Sequence, residues 1–286
     1  MLFKRRRALE RGDLRLGLER VGVPRGGLVV LHSSLSSLGW VLGAEDTVIA
    51  AMLDALGPEG TLVAPTFTHC FAPAKGQPAG NQGPFDMVRT PTVLGRISEA
   101  VRRRPDAVRS NHPIHSVAAC GPLAREVVRG HESQSDFGPE SPFGRIVEHN
   151  GTIVLLGVGQ RVNSTLHAVE DSLNMPYLRE MKAHVSQPDG RTDVFVCRKC
   201  PVGDRDFYRG EDSKWEAAVG QTGAVRRERL GEADVQIMEA RPFARAAADL
   251  LRRTPDLLLC DDPRCSFCVW AKGRIAAVGI RNAGPL

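Results

Sequence analysis

The sequence predicts an α/β fold with a largely parallel sheet covered by helices. Two observations carry this. Leu28-Val29-Val30-Leu31, Gly60-Thr61-Leu62-Val63-Ala64-Pro65 and Gly151 to Gly159 are short, continuous apolar runs bounded by glycine or polar residues. Such runs are the mark of strands buried on both faces. Between the first two, Glu45 to Leu56 places Val48, Ile49, Met52, Leu53 and Leu56 at helical spacing, with Gly57 positioned as the stop. Strand, loop, helix and strand in that order form the unit that builds parallel sheets.

The later elements are read the same way. Ala72 to Pro84, rich in Gly, Pro, Gln and Asn, reads as a surface loop beside a site. Thr90-Pro91 is expected to open a helix running through Leu94, Ile97 and Val101 to Pro105, and Ser141-Pro142 to cap another. His115 to Ala119 is a short strand candidate. The run ending at Gly159 leads into a helix beginning near Asn163 or Ser164. Beyond Arg191, Asp234 to Met238 reads as a strand, Pro242 to Leu251 as a helix and Ile275 to Ile280 as a last strand. No repeat and no long linker divides the chain. The expectation is one domain over 1–286, with 190–270 its cysteine-rich portion.

Composition narrows the class. The 286 residues are 42% hydrophobic and 25% charged, an ordinary globular balance. No apolar run reaches the roughly 20 residues that span a bilayer. The basic start, Lys4 to Arg7, lacks the apolar stretch of a signal peptide, so the expected compartment is the cytoplasm, with no membrane partner. A net charge of +5 suits an anionic ligand such as a nucleotide phosphate.

Three segments can carry chemistry. The first is Asn163-Ser164-Thr165-Leu166-His167-Ala168-Val169-Glu170-Asp171, at the carboxyl end of a strand, where open α/β sheets bind ligands. His167 and Glu170 share one helical face. A carboxylate beside an imidazole fixes its tautomer and raises its basicity, as a general base requires. The second is Val108-Arg109-Ser110-Asn111-His112-Pro113-Ile114-His115-Ser116-Val117, whose hydroxyls and arginine suit a phosphate or an amide-bearing arm. The third, His32 to Gly39, is a small-residue loop whose backbone N–H groups can approach an anion. It lacks the Gly-Lys-Ser/Thr of a Walker loop and the spacing of a dinucleotide fingerprint.

At these places the chain resembles the aminoglycoside 3-N-acetyltransferase family. The resembling motifs are His32-Ser33-Ser34-Leu35-Ser36-Ser37-Leu38-Gly39, then Arg109 to Ser116 with Gly121, then Phe137-Gly138-Pro139-Glu140-Ser141-Pro142-Phe143-Gly144, then Leu155 to Gly159 with Asn163 to Glu170. Their order and approximate spacing match, over about Gly26 to Tyr177. One departure is Val117, where the family commonly has Phe. The resemblance implies a three-layer α/β/α sandwich and acetyl-CoA bound along His32, Ser33, Ser34, Leu35 and Ser36 and along Ser110, His112, Pro113, Ser116 and Val117. It also implies His167 and Glu170 near the acceptor amine of an aminoglycoside or similar small molecule. On this reading a serine hydroxyl near Ser34 to Ser36, or Ser116, steadies the oxyanion. Asp136 and Asp171 supply negative charge for the substrate, and a homodimer is within expectation.

The cysteines make a separate case. Cys197-x-x-Cys200 and Cys265-x-x-Cys268 have the pairwise spacing of a closed, structural zinc site that would clip the C-terminal segment, with Cys260 a spare ligand. The rival to an enzyme is a zinc-ribbon nucleic-acid binder. It leaves the ordered motifs before Tyr177 unexplained, and 5% aromatic residues offer few stacking platforms. No nucleic-acid partner is therefore expected.

Overall fold

The computed structural model describes residues 7–71, 80–131, 136–187, 189–199 and 206–280. Strands β1 (Leu28–Ser33), β2 (Thr61–Pro65), β3 (Val108–Arg109), β4 (Val117–Cys120), β5 (Thr152–Leu156), β8 (Arg226–Leu230) and β9 (Ala233–Glu239) form one seven-stranded sheet in the order β3-β4-β2-β1-β5-β9-β8. β1 pairs in parallel with both β2 and β5. β4 and β9 run against the other five strands, so the sheet is mixed with a parallel centre.

Alternation along the central strands explains their continuous apolarity. Val29 and Leu31 of β1, with Val154 and Leu156 of β5, face helices α1 (Arg11–Val21), α2 (Ala44–Leu56) and α3 (Arg96–Arg102). Leu28, Val30, Ile153 and Leu155 face the other layer. That layer holds α4 (Ala124–Val128), α5 (Pro142–Glu148), α6 (Thr165–Ser172), α7 (Lys214–Gly220), α8 (Ala240–Arg253) and α9 (Ser266–Val278). Both faces are buried, so neither carries a polar alternation. The expected α/β/α sandwich is the observed one.

Local signals set several boundaries. Ser141 caps α5 by accepting the N–H of Gly144 at 3.2 Å, with Pro142 in the first turn. Gly57 ends α2 with φ 70°. Two expectations need correction. The helix expected from Thr90 begins only at Arg96, because Thr92 turns outward to bond the carbonyl of Phe67 and Glu99 Oε2. Ile275 to Ile280 is no strand. Ile275 to Val278 complete α9, which Gly279 stops by donating to the carbonyl of Ile275.

A separate antiparallel hairpin, β6 (Arg179–Ser186) and β7 (Thr192–Lys199), lies against the loops at the ends of the parallel strands. It is joined to them by bridges at Phe71↔Ala183 and Phe85↔Val185. Residues 72–79, most of the Ala72 to Pro84 loop, lie outside the described residues, as do Lys4, Arg5 and Arg6. Among the described residues no helix is long and apolar enough to cross a membrane.

Candidate active site

A cleft of about 310 Å³ opens where β1, β2 and β5 end. Ser33 and Pro65 close two of these strands and line it, as does Val158 just past the third. Position alone marks this as the binding edge of an open sheet.

His167 lies in the first turn of α6, which Asn163 starts by accepting the N–H of Thr165 at 3.2 Å. Its Nδ1 lies 2.6 Å from Glu170 Oε2, and the Tyr177 hydroxyl donates to Glu170 Oε1 at 2.7 Å. Glu170 and Tyr177 are fully buried, whereas the His167 ring reaches the cleft. A carboxylate only accepts, so Nδ1 carries the proton and the ring's basic lone pair is on Nε2. His32 stands on the same wall. Burial first, then nearby His167, push its imidazole down to about 3, so it is neutral at physiological pH. Its Nε2 is buried and has no hydrogen-bond partner among the described residues.

The serine loop leaves β1 beside the cleft. Ser34 N–H donates to the carbonyl of Leu156, and Ser37 Oγ to that of Gly157 at 2.8 Å. Gly157 has φ 68°, and a Cβ there would sit 2.4 Å from Ser37 Cβ, so only glycine permits this seam. Ser33, Ser34, Leu35 and Ser36 line a second groove that shares Ser33 and Leu94 with the cleft.

The His-Pro segment behaves differently from its expectation. Ser110, His112, Ser116 and Val117 are at most 1% exposed, and Pro113 is buried, so they lie beneath the surface of the cleft. They build a wall instead. Val117 N–H donates to Ser110 Oγ, whose own proton goes to His131 Nδ1, and His131 Nε2 donates to the carbonyl of Asp136. Ser116 Oγ donates to the carbonyl of Thr66 at 2.8 Å, which removes it from the oxyanion role. Arg109 is similarly occupied, by the carbonyls of Met87, Thr90 and Thr66. Burial, then Arg102, lowers its guanidinium to about 10. Sequence spacing shows polar residues in a row. It does not show that their partners are Thr66, just past β2, and His131 and Asp136.

Asp136, expected to meet substrate, is fully buried, with one oxygen on His112 Nε2 and the other on His115 Nδ1. Asp171 is half-buried on α6 and lies outside the cleft lining. Among the described residues the lining holds no carboxylate. The sequence placed His115 and Phe137 within its motifs but gave neither a role, and it gave no sign of Tyr177. Phe137 packs against both His115 and His167, with ring centroids 4.9 Å from each.

These observations agree with the comparisons with known proteins. A family model described as aminoglycoside 3-N-acetyltransferase matches residues 30–252. The chain belongs to the aminoglycoside 3-N-acetyltransferase family. It is 35% identical over 261 residues to aminoglycoside N(3)-acetyltransferase VIII of Streptomyces fradiae, covering 82% of this chain and 89% of that one. It is 35% identical over 251 residues to aminoglycoside N(3)-acetyltransferase IV of a Salmonella species, covering 85% and 87%. Among solved structures it resembles aminoglycoside acetyltransferase AAC(3)-IVa, crystallised as a histidine-to-alanine mutant in complex with a gentamicin. The TM-score is 0.81 at 27% identity, over 95% of this chain and 100% of that one.

Of the four zinc ligands expected from sequence, Cys197, Cys265 and Cys268 lie among the described residues. Cys265 and Cys268 lie with Cys260, their sulfur atoms all within 4.8 Å of one another. Cys197 is not in this group. It lies within β7 and packs with Ile114 and Ala183. Cys200 lies outside the described residues. Burial pushes the Cys268 thiol up to about 12, and neighbouring Cys260 and Cys265 add to this. Three converging thiols at the start of α9 fit a soft cation, which would bind them as thiolates.

Proposed function

We propose that this chain is an acetyl-CoA-dependent N-acetyltransferase acting on an amine of an aminoglycoside or similar small molecule. The observation that carries the reading is the His167–Glu170–Tyr177 relay at the floor of a cleft that adjoins the serine groove. In this reading Ser33, Ser34, Leu35 and Ser36 border the pantetheine arm, and the thioester reaches the cleft beside His32. His167 Nε2 takes a proton from the attacking nitrogen, and Glu170 steadies the imidazolium that forms. The thiol leaves with that proton. Tyr177 is a positioning residue: its hydroxyl satisfies the second carboxylate oxygen and so holds the first toward Nδ1. The cytoplasm, where acetyl-CoA is available, is the compartment that fits this reaction.

Within the same proposal, Cys260, Cys265 and Cys268 hold a structural zinc ion. It would tie the segment after α8 to the start of α9 and take no part in transfer.

The test is direct. Acetyl-CoA at about 100 times its dissociation constant should stabilise the fold by roughly 2.7 kcal/mol. With gentamicin added, thiol release should fall about 10²- to 10⁴-fold in His167→Ala. No thermal shift at millimolar acetyl-CoA, or a fully active His167→Ala, refutes the reading.

A further inference from the structure

The cleft contains a second histidine–carboxylate pair. His115 lines it, with its Nδ1 hydrogen-bonded to Asp136 Oδ2. The proton positions around this pair follow from its neighbours. His112 Nδ1 accepts the backbone N–H groups of Ile114 and His115, at 3.2 and 2.9 Å, so its proton is on Nε2 and goes to Asp136 Oδ1 at 3.0 Å. Asp136 thus accepts from two imidazoles and has no proton of its own to give. Burial alone would raise its pKa. His112 and His115 outweigh that and hold it well below the usual carboxylate range. The His115 ring is clamped between Phe67, edge-on with centroids 4.8 Å apart, and Phe137. Asp136 takes Nδ1, so any proton exchange between His115 and the cleft runs through Nε2.

Aminolysis of a thioester has two protons to handle when the acceptor arrives as an ammonium ion. One must leave before the nitrogen can attack, and a second leaves the nitrogen as the amide forms. The His167 relay accounts for the second. We propose that His115, backed by Asp136, is the base that takes the first. This inference rests on the transferase reading above.

The step balances. An N–H bond of the ammonium breaks and a bond to His115 Nε2 forms, giving an imidazolium beside the Asp136 carboxylate. The freed lone pair attacks the thioester carbonyl, and His167 Nε2 takes the next proton. The C–S bond then breaks, and the sulfur takes that proton from His167. His115 returns its own proton to solvent, so the products are amide, thiol and one proton. The titratable and charged groups around His115 are Asp136, His112 and His131 behind it, and His167, His32, His69, Arg161 and Tyr208 on the cleft walls. His131 is pushed well below the usual imidazole range by burial and then by His112, and His32 is neutral. Of these groups the two carboxylate-backed imidazoles, His115 and His167, are the ones placed to exchange protons with the substrate.

The experiment is the pH dependence of kcat/KM for gentamicin with saturating acetyl-CoA, from pH 6 to 9.5. Wild type, His115→Asn and His115→Gln are compared, each checked for a wild-type melting profile. A variant without this base uses only amine that arrives neutral. Its kcat/KM should then climb about tenfold per pH unit up to the amine's pKa. The deficit should be about 100-fold at pH 7 and within a few-fold by pH 9. His167→Ala should stay depressed across the range. A His115 variant whose deficit is the same at every pH, or that shows none, overturns the inference and leaves the transferase reading standing. A wild type that acetylates no amine overturns both.

Discussion

Replacing Glu170 with Gln changes one atom and should nearly abolish turnover, because Tyr177 decides which way the new amide turns. Its hydroxyl donates to Oε1 at 2.7 Å, while Oε2 receives His167 Nδ1 at 2.6 Å. In Glu170→Gln the amide oxygen satisfies Tyr177 and the NH₂ group then faces Nδ1. That nitrogen must accept, so the ring proton moves to Nε2 and the base is lost. The opposite orientation requires the Tyr177 hydroxyl to accept, and its own proton must find another acceptor in a fully buried place, at about 1–3 kcal/mol. Roughly a tenth to a hundredth of the molecules would then keep the productive tautomer. Losing the negative charge opposite the imidazolium costs about a further 1.5–3 kcal/mol. Together these give a fall in kcat of about 10²–10⁴, as large as removing the imidazole. Adding Tyr177→Phe frees the amide to turn, and the double variant should recover about tenfold over Glu170→Gln. The assay is thiol release at pH 7 under saturation, with melting curves to confirm folding. A folded Glu170→Gln within about fivefold of wild type, or a double variant slower than the single, refutes the reasoning.

Two further outcomes are expected. His32 is a base whose folded pKa lies near 3 against an ordinary 6.5, so the unfolded chain binds its proton first. Its stabilising contribution is complete above pH 6.5 and is lost as pH falls from there toward 3. Between pH 7.5 and 5, wild type should lose about 2 kcal/mol more than His32→Leu in urea unfolding, and equal losses would show that the imidazole is not held neutral. Cys268→Ser should lower both bound zinc, from about one ion per chain, and the melting temperature, while protein that stays folded keeps measurable turnover. Metal-free wild-type protein purified without chelator, measured by elemental analysis, would remove the zinc assignment.

The elements legible in the sequence are those whose burial leaves a pattern in one short window. β1, β2 and β5 read as strands because both faces are covered, and α2 and α8 because one apolar stripe repeats at helical spacing. β6 alternates Met181, Ala183 and Val185 with Glu180, Lys182 and His184, a period-two signal that the small Ala183 keeps weak beside the continuous apolar runs of the central strands. The end of α9 reads as a strand because Ile275 to Ile280 is too short to separate the two periods. The same rule sorts the site. His167 and Glu170 lie three residues apart and could be paired on sight. The pairing of His115 with Asp136 joins residues 21 apart, with β4 and α4 between them. The contact of Tyr177 with Glu170 forms only after the chain reverses beyond α6. The serines of the His-Pro segment were legible as polar but not as buried, since the partners that bury them, Thr66 and His131, lie far along the chain.

The parallel centre of the sheet also governs how the chain must be made. β1 meets β2 soon after both emerge, but its other edge pairs with β5, about 120 residues further on. At synthesis rates of about 5–20 residues per second, that edge waits on the order of 6–25 s. During this interval Leu28 to Leu31 present an uncharged, apolar row of open backbone groups, the template on which chains adhere to one another. Soluble yield should therefore respond to translation speed, growth temperature and holdase supply more than to changes on the finished surface. A codon-slowed segment between β2 and β5 should reduce yield, whereas one placed after β9 should not.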